Sequence, residues 1–495
     1  MLARTPRLRA RSRFTAAARL GLICVLALGA SCSATSSADA GHPDTEPPEV
    51  CPPWPVPGAD AGLLDAGGCV PGSCGSLGVG CGTVGDGCGS VLSCGPCTPL
   101  TACTAIQTPG NYLVTQDLVS ATTACLVIDD VANVSIRCLD AGIVGYPAIS
   151  IQNAANVTVF GCTLGSIETP YVEGVSAIGL DGGRISRCVF PISSLLATAT
   201  NGLVIDQCQF LQTADGVGLA YANQSDVRDN VFVAPQPLLP DGGALVSGSL
   251  ITTSYGTGNT IEGNDIDGAW PNDAGVGPGA AGSGTLIGVD DGIILWNESS
   301  DVIRNNRIRN VFDMGIETVK TVQDTVFAGN QIDSAGNGGI GGWWWMSLAG
   351  STLSGNVVTH SGSLFVFNRY CGLPPGQADV ELLNNVFQGN VYAEPPTGAF
   401  MSAYIVATDD LGFEEWPGTA QGGMNCGTDD TPPDAGQFLI GNNHFQGNDF
   451  GHQVPLFLGP PPEDGGSTGI VDDGCNRCLP GGYLGAQSPF PLDCQ

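Results

Sequence analysis

Charge is scarce in this chain, and one sign is scarcer than the other. Of 495 residues only 13% are charged, and 16 Lys and Arg stand against 47 Asp and Glu. Lys320 is the sole lysine. Six arginines (Arg4, Arg7, Arg9, Arg11, Arg13 and Arg19) precede Ser31, where no acid occurs, which leaves 10 basic against 47 acidic residues, a net of −37. Such a surface repels phosphate backbones and excludes nucleic acid as a partner. It also disfavours anionic polymers unless a metal ion or a local basic patch intervenes. Tracts rich in Ala, Glu, Lys, Leu and Arg are absent, so long amphipathic helices are not expected. Beyond the first 40 residues no stretch of about 20 apolar residues occurs, so no membrane-spanning helix is expected downstream.

Glycine (73 residues) and cysteine (20 residues) are abundant instead. An Arg-rich start followed by "LGLICVLALGASC" reads as a secretion signal over 1–31. "GASC" resembles a bacterial lipoprotein cleavage box, with Gly29 where Leu is usual. The resemblance implies a lipid on Cys32, the protein's one link to a membrane, and Ser33 then favours the outer membrane or cell surface. Cleavage after Ala40 would instead release the protein. Residues 32–68, dominated by Pro, Ala, Asp and Gly, read as a disordered linker. Residues 69–102 carry Cys69, Cys74, Cys81, Cys88, Cys94 and Cys97 and are too short and glycine-rich for a core, so disulfides must hold them. "CGPC" at 94–97 resembles the thioredoxin redox motif. It lacks the βαβ setting that lowers a thiol pKa, so structural bridges are expected there.

From residue 103 onward a six-residue pattern recurs, apolar at both ends with Cys or Asn fourth, as in "VFGCTL", "IDQCQF", "IEGNDI", "FAGNQI", "LLNNVF" and "IGNNHF". The fourth positions run Cys162, Cys188, Cys208, Asn230, Asn264, Asn306, Asn330, Asn356, Asn385 and Asn443, at gaps of 20 to 58 residues, with an imperfect copy at Cys138. Two short strands per repeat without a helical period define a parallel β-solenoid whose coils bury their apolar faces by stacking. Inward Asn residues can bond the backbone of the bend and the amide of the next coil. Cys neighbours in that column fall within disulfide reach, so some of them can pair.

These repeats, with "CTAIQTPGNYLVTQDLVSATTACLVIDDVANVSIRCLDAGI" at 103–143, resemble the right-handed parallel β-helix superfamily that includes pectate lyases, polygalacturonases and periplasmic β-helix repeat proteins. The resemblance implies an all-β fold: a right-handed parallel β-helix of about ten or eleven coils over 103–458, with Cys103 and Cys125 within reach of a bridge in its first coil. A C-terminal cap over 459–495 would be held by Cys475, Cys478 and Cys494; "CNRC" there suits a bridge better than zinc.

Enzymes of this class work on an outer strand face with groups from neighbouring coils. Aligning coils on Gly292, Gly315 and Gly339 sets Asp290, Asp313 and Asn337 in one column, Ile293, Ile316 and Ile340 inward, and Ile294, Glu317 and Gly341 outward. Trp296, Val319 and Trp343 follow outward, Trp345 shares the face of Trp343, and Trp344 points in. Asp290, Asp313, Glu317, Lys320 and Arg307 are the candidate catalytic residues, and Trp296, Trp343 and Trp345 the candidate sugar platform. Against this, acids are common enough for such a register to be coincidence. Arg304 and Asp301 suit a surface ion pair. "DDGI" also looks like an ordinary coil start, without the Gly-His-Gly and Arg-x-Lys elements of polygalacturonases. The expectation is a monomeric extracytoplasmic protein that binds or processes polysaccharide, glycosidase- or lyase-like. The alternative is a non-catalytic surface scaffold or adhesin. No cofactor is required by the pattern; Ca²⁺ is the ion that "ATDDLGFEEW" and "GTDDTPPDAG" would suit, though without regular ligand spacing.

Overall fold

The computed structural model describes residues 71–74, 80–165, 173–213, 215–234, 248–269, 289–336, 338–342, 346–367, 378–393, 403–406, 437–441, 443–450, 455–457 and 470–477. Cys32, the linker, the acidic loops of 407–436, Trp343 to Trp345, Cys478 and Cys494 lie outside them.

The described residues form strands and no helix, so none is long and apolar enough to cross a membrane. Each coil contributes one short strand to each of three parallel sheets, of 14, 14 and 11 strands. A representative coil runs through Asp291–Ser299 in the first sheet, Val302–Arg304 in the second and Arg307–Val311 in the third, then returns to the first at Met314–Gln323. Parallel crossovers of this kind are right-handed, and the molecule is the right-handed parallel β-helix expected from the repeat.

Alternation drives the core. In each strand every second side chain turns inward, and Ile251, Ile293, Ile316 and Ile340 stack in register at no more than 1% exposure. Phe190, Phe210 and Phe232 form a second column, with ring centroids 4.4 and 4.7 Å apart. The aligned glycines are needed for close approach. A Cβ on Gly292 would meet Ile308 Cγ2 at 2.5 Å, and one on Gly315 would meet Ile332 Cγ2 at 2.5 Å.

The polar column corrects the sequence reading in one respect: there are two ladders, five residues apart. One runs Cys138, Cys162, Cys188, Cys208, Asn230, Asn264, Asn306, Asn330 and Asn356, and continues through Asn390, Asn448 and Asn476. Asn385 and Asn443 belong to the other, with Ser225, Asn259, Asp301, Thr325 and Ser351. The six-residue pattern fits both bends of one coil, which is why "LLNNVF" and "IGNNHF" were assigned to the first.

Cys103–Cys125 and Cys138–Cys162 are disulfides, while Cys188 and Cys208 are buried thiols. In the N-terminal module Cys74 pairs with Cys94 and Cys81 with Cys97. The two cysteines of "CGPC" therefore belong to separate bridges and form no redox dithiol. The module's hairpin, Thr83–Gly85 with Val91–Ser93, packs Val84 against Phe160 of the β-helix. Strand Thr98–Leu100 already joins the second sheet, whose last strand is Ile470–Asp472. Cys475 just beyond is buried and disulfide-bonded.

Candidate active site

Strands Asp291–Ser299 and Met314–Gln323 lie side by side, and the expected register holds: Ile294 pairs with Glu317, and Glu317 with Gly341. At the corner where the third sheet turns into the first, the Asp313 N–H donates to the Asp290 carbonyl at 2.7 Å. Asp290 and Asp313 are thus neighbours in one column, on coils about 4.8 Å apart.

A third aspartate completes the corner. Asp291 is 2% exposed; its Oδ1 accepts the Met314 N–H at 3.0 Å and its Oδ2 the Ser249 hydroxyl at 3.3 Å. Burial pushes its carboxyl well above the usual range, and the charges of Glu317, Asp313 and Asp290 push the same way, against the Met314 N–H. Glu317 is 8% exposed and is also raised well above the ordinary range, first by burial and then by Asp313 and Asp290; its hydrogen bond to Asp291 works the other way. Burial raises Asp290 as well. Four carboxyl groups on two adjacent coils cannot all ionise in so little water. The inner pair, Asp291 and Glu317, is held toward the acid form beside Asp290 and Asp313. Sequence reasoning passed over Asp291 as part of a coil start. The signal was present, because the alternation that turns Ile293 inward also turns Asp291 inward.

Lys320 and Trp296 come together and Arg307 does not join them. The Lys320 ammonium lies over the Trp296 ring, 5.1 Å from its centroid. Val319 and Glu317 lie on the outward side of the register as expected, but both are buried, at 3% and 8% exposure. Arg307 is exposed in the third sheet, in register with Asp265 and Gln331, at the far end of its strand from Asp313. It sat near the acids in sequence, but a solenoid coil carries such neighbours to different faces. Arg309 bonds Asp265 and Asp267, and Arg304 pairs with Glu262 at 2.7 Å. The expected partner of Arg304, Asp301, is buried in the second ladder. There Glu298 and Asp301 form another acidic pair, raised to about 9 and about 6, both first by burial.

Stacked parallel sheets with inward polar ladders and an acidic corner define a right-handed parallel β-helix protein. Within that class, residues 113–334 match the family described as "Periplasmic copper-binding protein (NosD)", a match over less than half the chain. No curated protein matches. Among solved structures, the Dettilon tailspike protein is similar at 16% identity and a TM-score of 0.38, over 59% of this chain and 58% of its own. The chain therefore spans little more than half the length of that protein. The DFA-IIIase of Arthrobacter chlorophenolicus without its lid is similar at 11% identity and a TM-score of 0.42, over 75% and 89%. The surface adhesin PfbA of Streptococcus pneumoniae is similar at 10% and 0.36, over 61% and 82%.

Proposed function

We propose that this is an exported polysaccharide-processing protein with glycosidase-type acid–base chemistry at the Asp290, Asp291, Asp313 and Glu317 corner. The observation that carries the reading is a buried Glu317, its carboxyl pushed up by burial, beside the half-buried Asp290 and Asp313 on the same two coils. Cleaving a glycosidic bond needs one carboxylic acid to protonate the leaving oxygen and one carboxylate to attack the anomeric carbon or activate water. Glu317, pushed up by burial and by the charges of Asp313 and Asp290, is the acid. Asp290 or Asp313, neighbours in one column on adjacent coils, supplies the carboxylate. A lyase needs a basic group at the proton α to a uronate carboxyl, and Lys320, in the same strand as Glu317, is the candidate base for it. The reading includes the lipid anchor at Cys32 and outward roles for Trp343 and Trp345.

Copper is not part of it. Copper favours thiolate, thioether or imidazole donors. Cys188 and Cys208 are buried thiols whose sulfurs donate to backbone carbonyls, and burial pushes the Cys208 thiol well up. His360 and His444 are bonded to Asp333 and Asp473 at 2.7 and 2.8 Å. Among the described residues no group of three or more His, Cys, Asp or Glu is placed to hold a metal ion.

The test is a polysaccharide panel assayed for new reducing ends and for unsaturated ends, with and without Ca²⁺. New reducing ends that disappear in Glu317→Gln, with a rate falling as pH rises through the Glu317 titration, are expected. Unsaturated ends would replace the glycosidase with a lyase, and no product from any polymer would favour the scaffold.

A further inference from the structure

Eight successive coils carry a residue in the left-handed region in one column, at the end of the first-sheet strand in the first six and at an irregularity within the strand in the last two. In chain order it reads Asp130, Asn153, Gly179, Ala199, Tyr221, Tyr255, Asn297 and Lys320, with φ between 48° and 65°. Backbone hydrogen bonds join the turns: the Tyr221 N–H donates to Ser254 and the Tyr255 N–H to Trp296. Asp, Asn and Gly suit this conformation, whereas a bulky aromatic there is strained by about 1 kcal/mol or more. Two successive coils nevertheless carry tyrosine. The rings stack on each other at 5.1 Å and 15° and stay exposed, Tyr221 at 56% and Tyr255 at 46%. Core packing does not account for them.

We propose that Tyr221 and Tyr255 form a stacking subsite for an uncharged polysaccharide that leads into the carboxylate corner; the inference rests on the glycosidase reading above. The stack runs along the solenoid axis. Its next position belongs to Asn297, whose Oδ1 accepts the Thr321 N–H at 3.4 Å. A sugar ring set over Asn297 extends the stack from Tyr255, beside Trp296 and the Lys320 ammonium. Trp296 is two residues along the strand from Ile294, the register partner of Glu317, roughly 7 Å. The track and Glu317 therefore lie on the same side of the first sheet. Apolar faces of pyranose or furanose rings stack on aromatic rings without needing charge. The carboxylates at the end of the track and the net charge of −31 oppose a polyanion.

The test uses the full chain and a panel of cello-, xylo-, manno-, malto- and fructo-oligosaccharides, read by calorimetry and tryptophan fluorescence. At least one series is expected to bind. Tyr255→Asn, which places a favoured residue in the left-handed turn, is expected to weaken that binding about tenfold without lowering Tm, and Tyr255→Trp to retain it. No binding by the wild type, unchanged affinity in Tyr255→Asn, a lowered Tm in that variant, or binding of polyuronates alone would overturn the subsite. Glu317→Gln separates the two readings. Binding that depends on Tyr255 with no turnover in the wild type sinks the glycosidase and leaves the subsite standing.

Discussion

At the scale of single residues, the buried acids make stability depend on pH. Glu298 accepts the Gly256 N–H and the Asn259 amide, and Asp301 Oδ1 accepts the Asn259 N–H, while Asp301 Oδ2 is hidden beside Glu298. Their folded pKa values of about 9 and about 6 lie above their ordinary values of 4.5 and 3.8. The folded state therefore binds the extra proton, and the stability it confers is full below about pH 4 and is lost as pH rises toward 9. Asp301→Asn removes one acid and supplies an amide donor of the kind Asn259 directs at the Ala222 carbonyl. Melting curves at pH 5, 7 and 9 should show a higher Tm for the variant at pH 9 and a flatter fall between. An unchanged slope would mean the pair does not titrate in this window. In sequence Asp301 suits a surface pair with Arg304, because burial of an acid is set by the bend it occupies and no local pattern announces that.

At the scale of the coil, sequence and structure agree most closely, since the period itself encodes the fold. The inward Ile column and the register that sets Ile294 opposite Glu317 follow from alternation and the aligned glycines, whereas the repeat implies two strands per coil and the structure has three. What the pattern could not separate were two polar bends with the same residue preference, so Asn385 and Asn443 were assigned to the wrong one. The ladders carry measurable energy. Asn306 Oδ1 accepts the Asn264 N–H at 3.0 Å and the Asn264 amide at 2.9 Å, and its Nδ2 donates to Ile261 O and Asn330 Oδ1. Asn306→Ala leaves buried donors and acceptors without partners and should cost about 3 kcal/mol. Asn305→Gly, at an exposed left-handed turn one residue earlier, should change stability by less than about 0.5 kcal/mol. Chemical denaturation of both variants checks the contrast, and equal losses would show that the ladder is not what stabilises the bend.

Over the whole molecule, disulfides staple the first coils and recur at Cys475, and amide ladders span the coils between. Bridges join Cys74 to Cys94, Cys81 to Cys97, Cys103 to Cys125 and Cys138 to Cys162. Along the same column the next coils hold the free thiols Cys188 and Cys208, and from Asn230 onward amides replace sulfur. Coils of a solenoid contact only their neighbours, so loss of a staple acts locally. Arg137 links the two parts directly, donating to the Cys81 carbonyl at 3.1 Å. Reduction under native conditions should therefore raise amide exchange across 80–165 and leave 289–336 protected, with the acidic corner still folded. Exchange measured by mass spectrometry with and without reductant reads both regions in one experiment. Exchange rising equally in both would mean that the solenoid unfolds as one unit and that the N-terminal staples govern the candidate active site from several coils away. Confinement to the first region would mean that the module serves as a covalent end-plug, which closes the open edge of the stack where a hydrogen-bonded ladder has no preceding coil to bond.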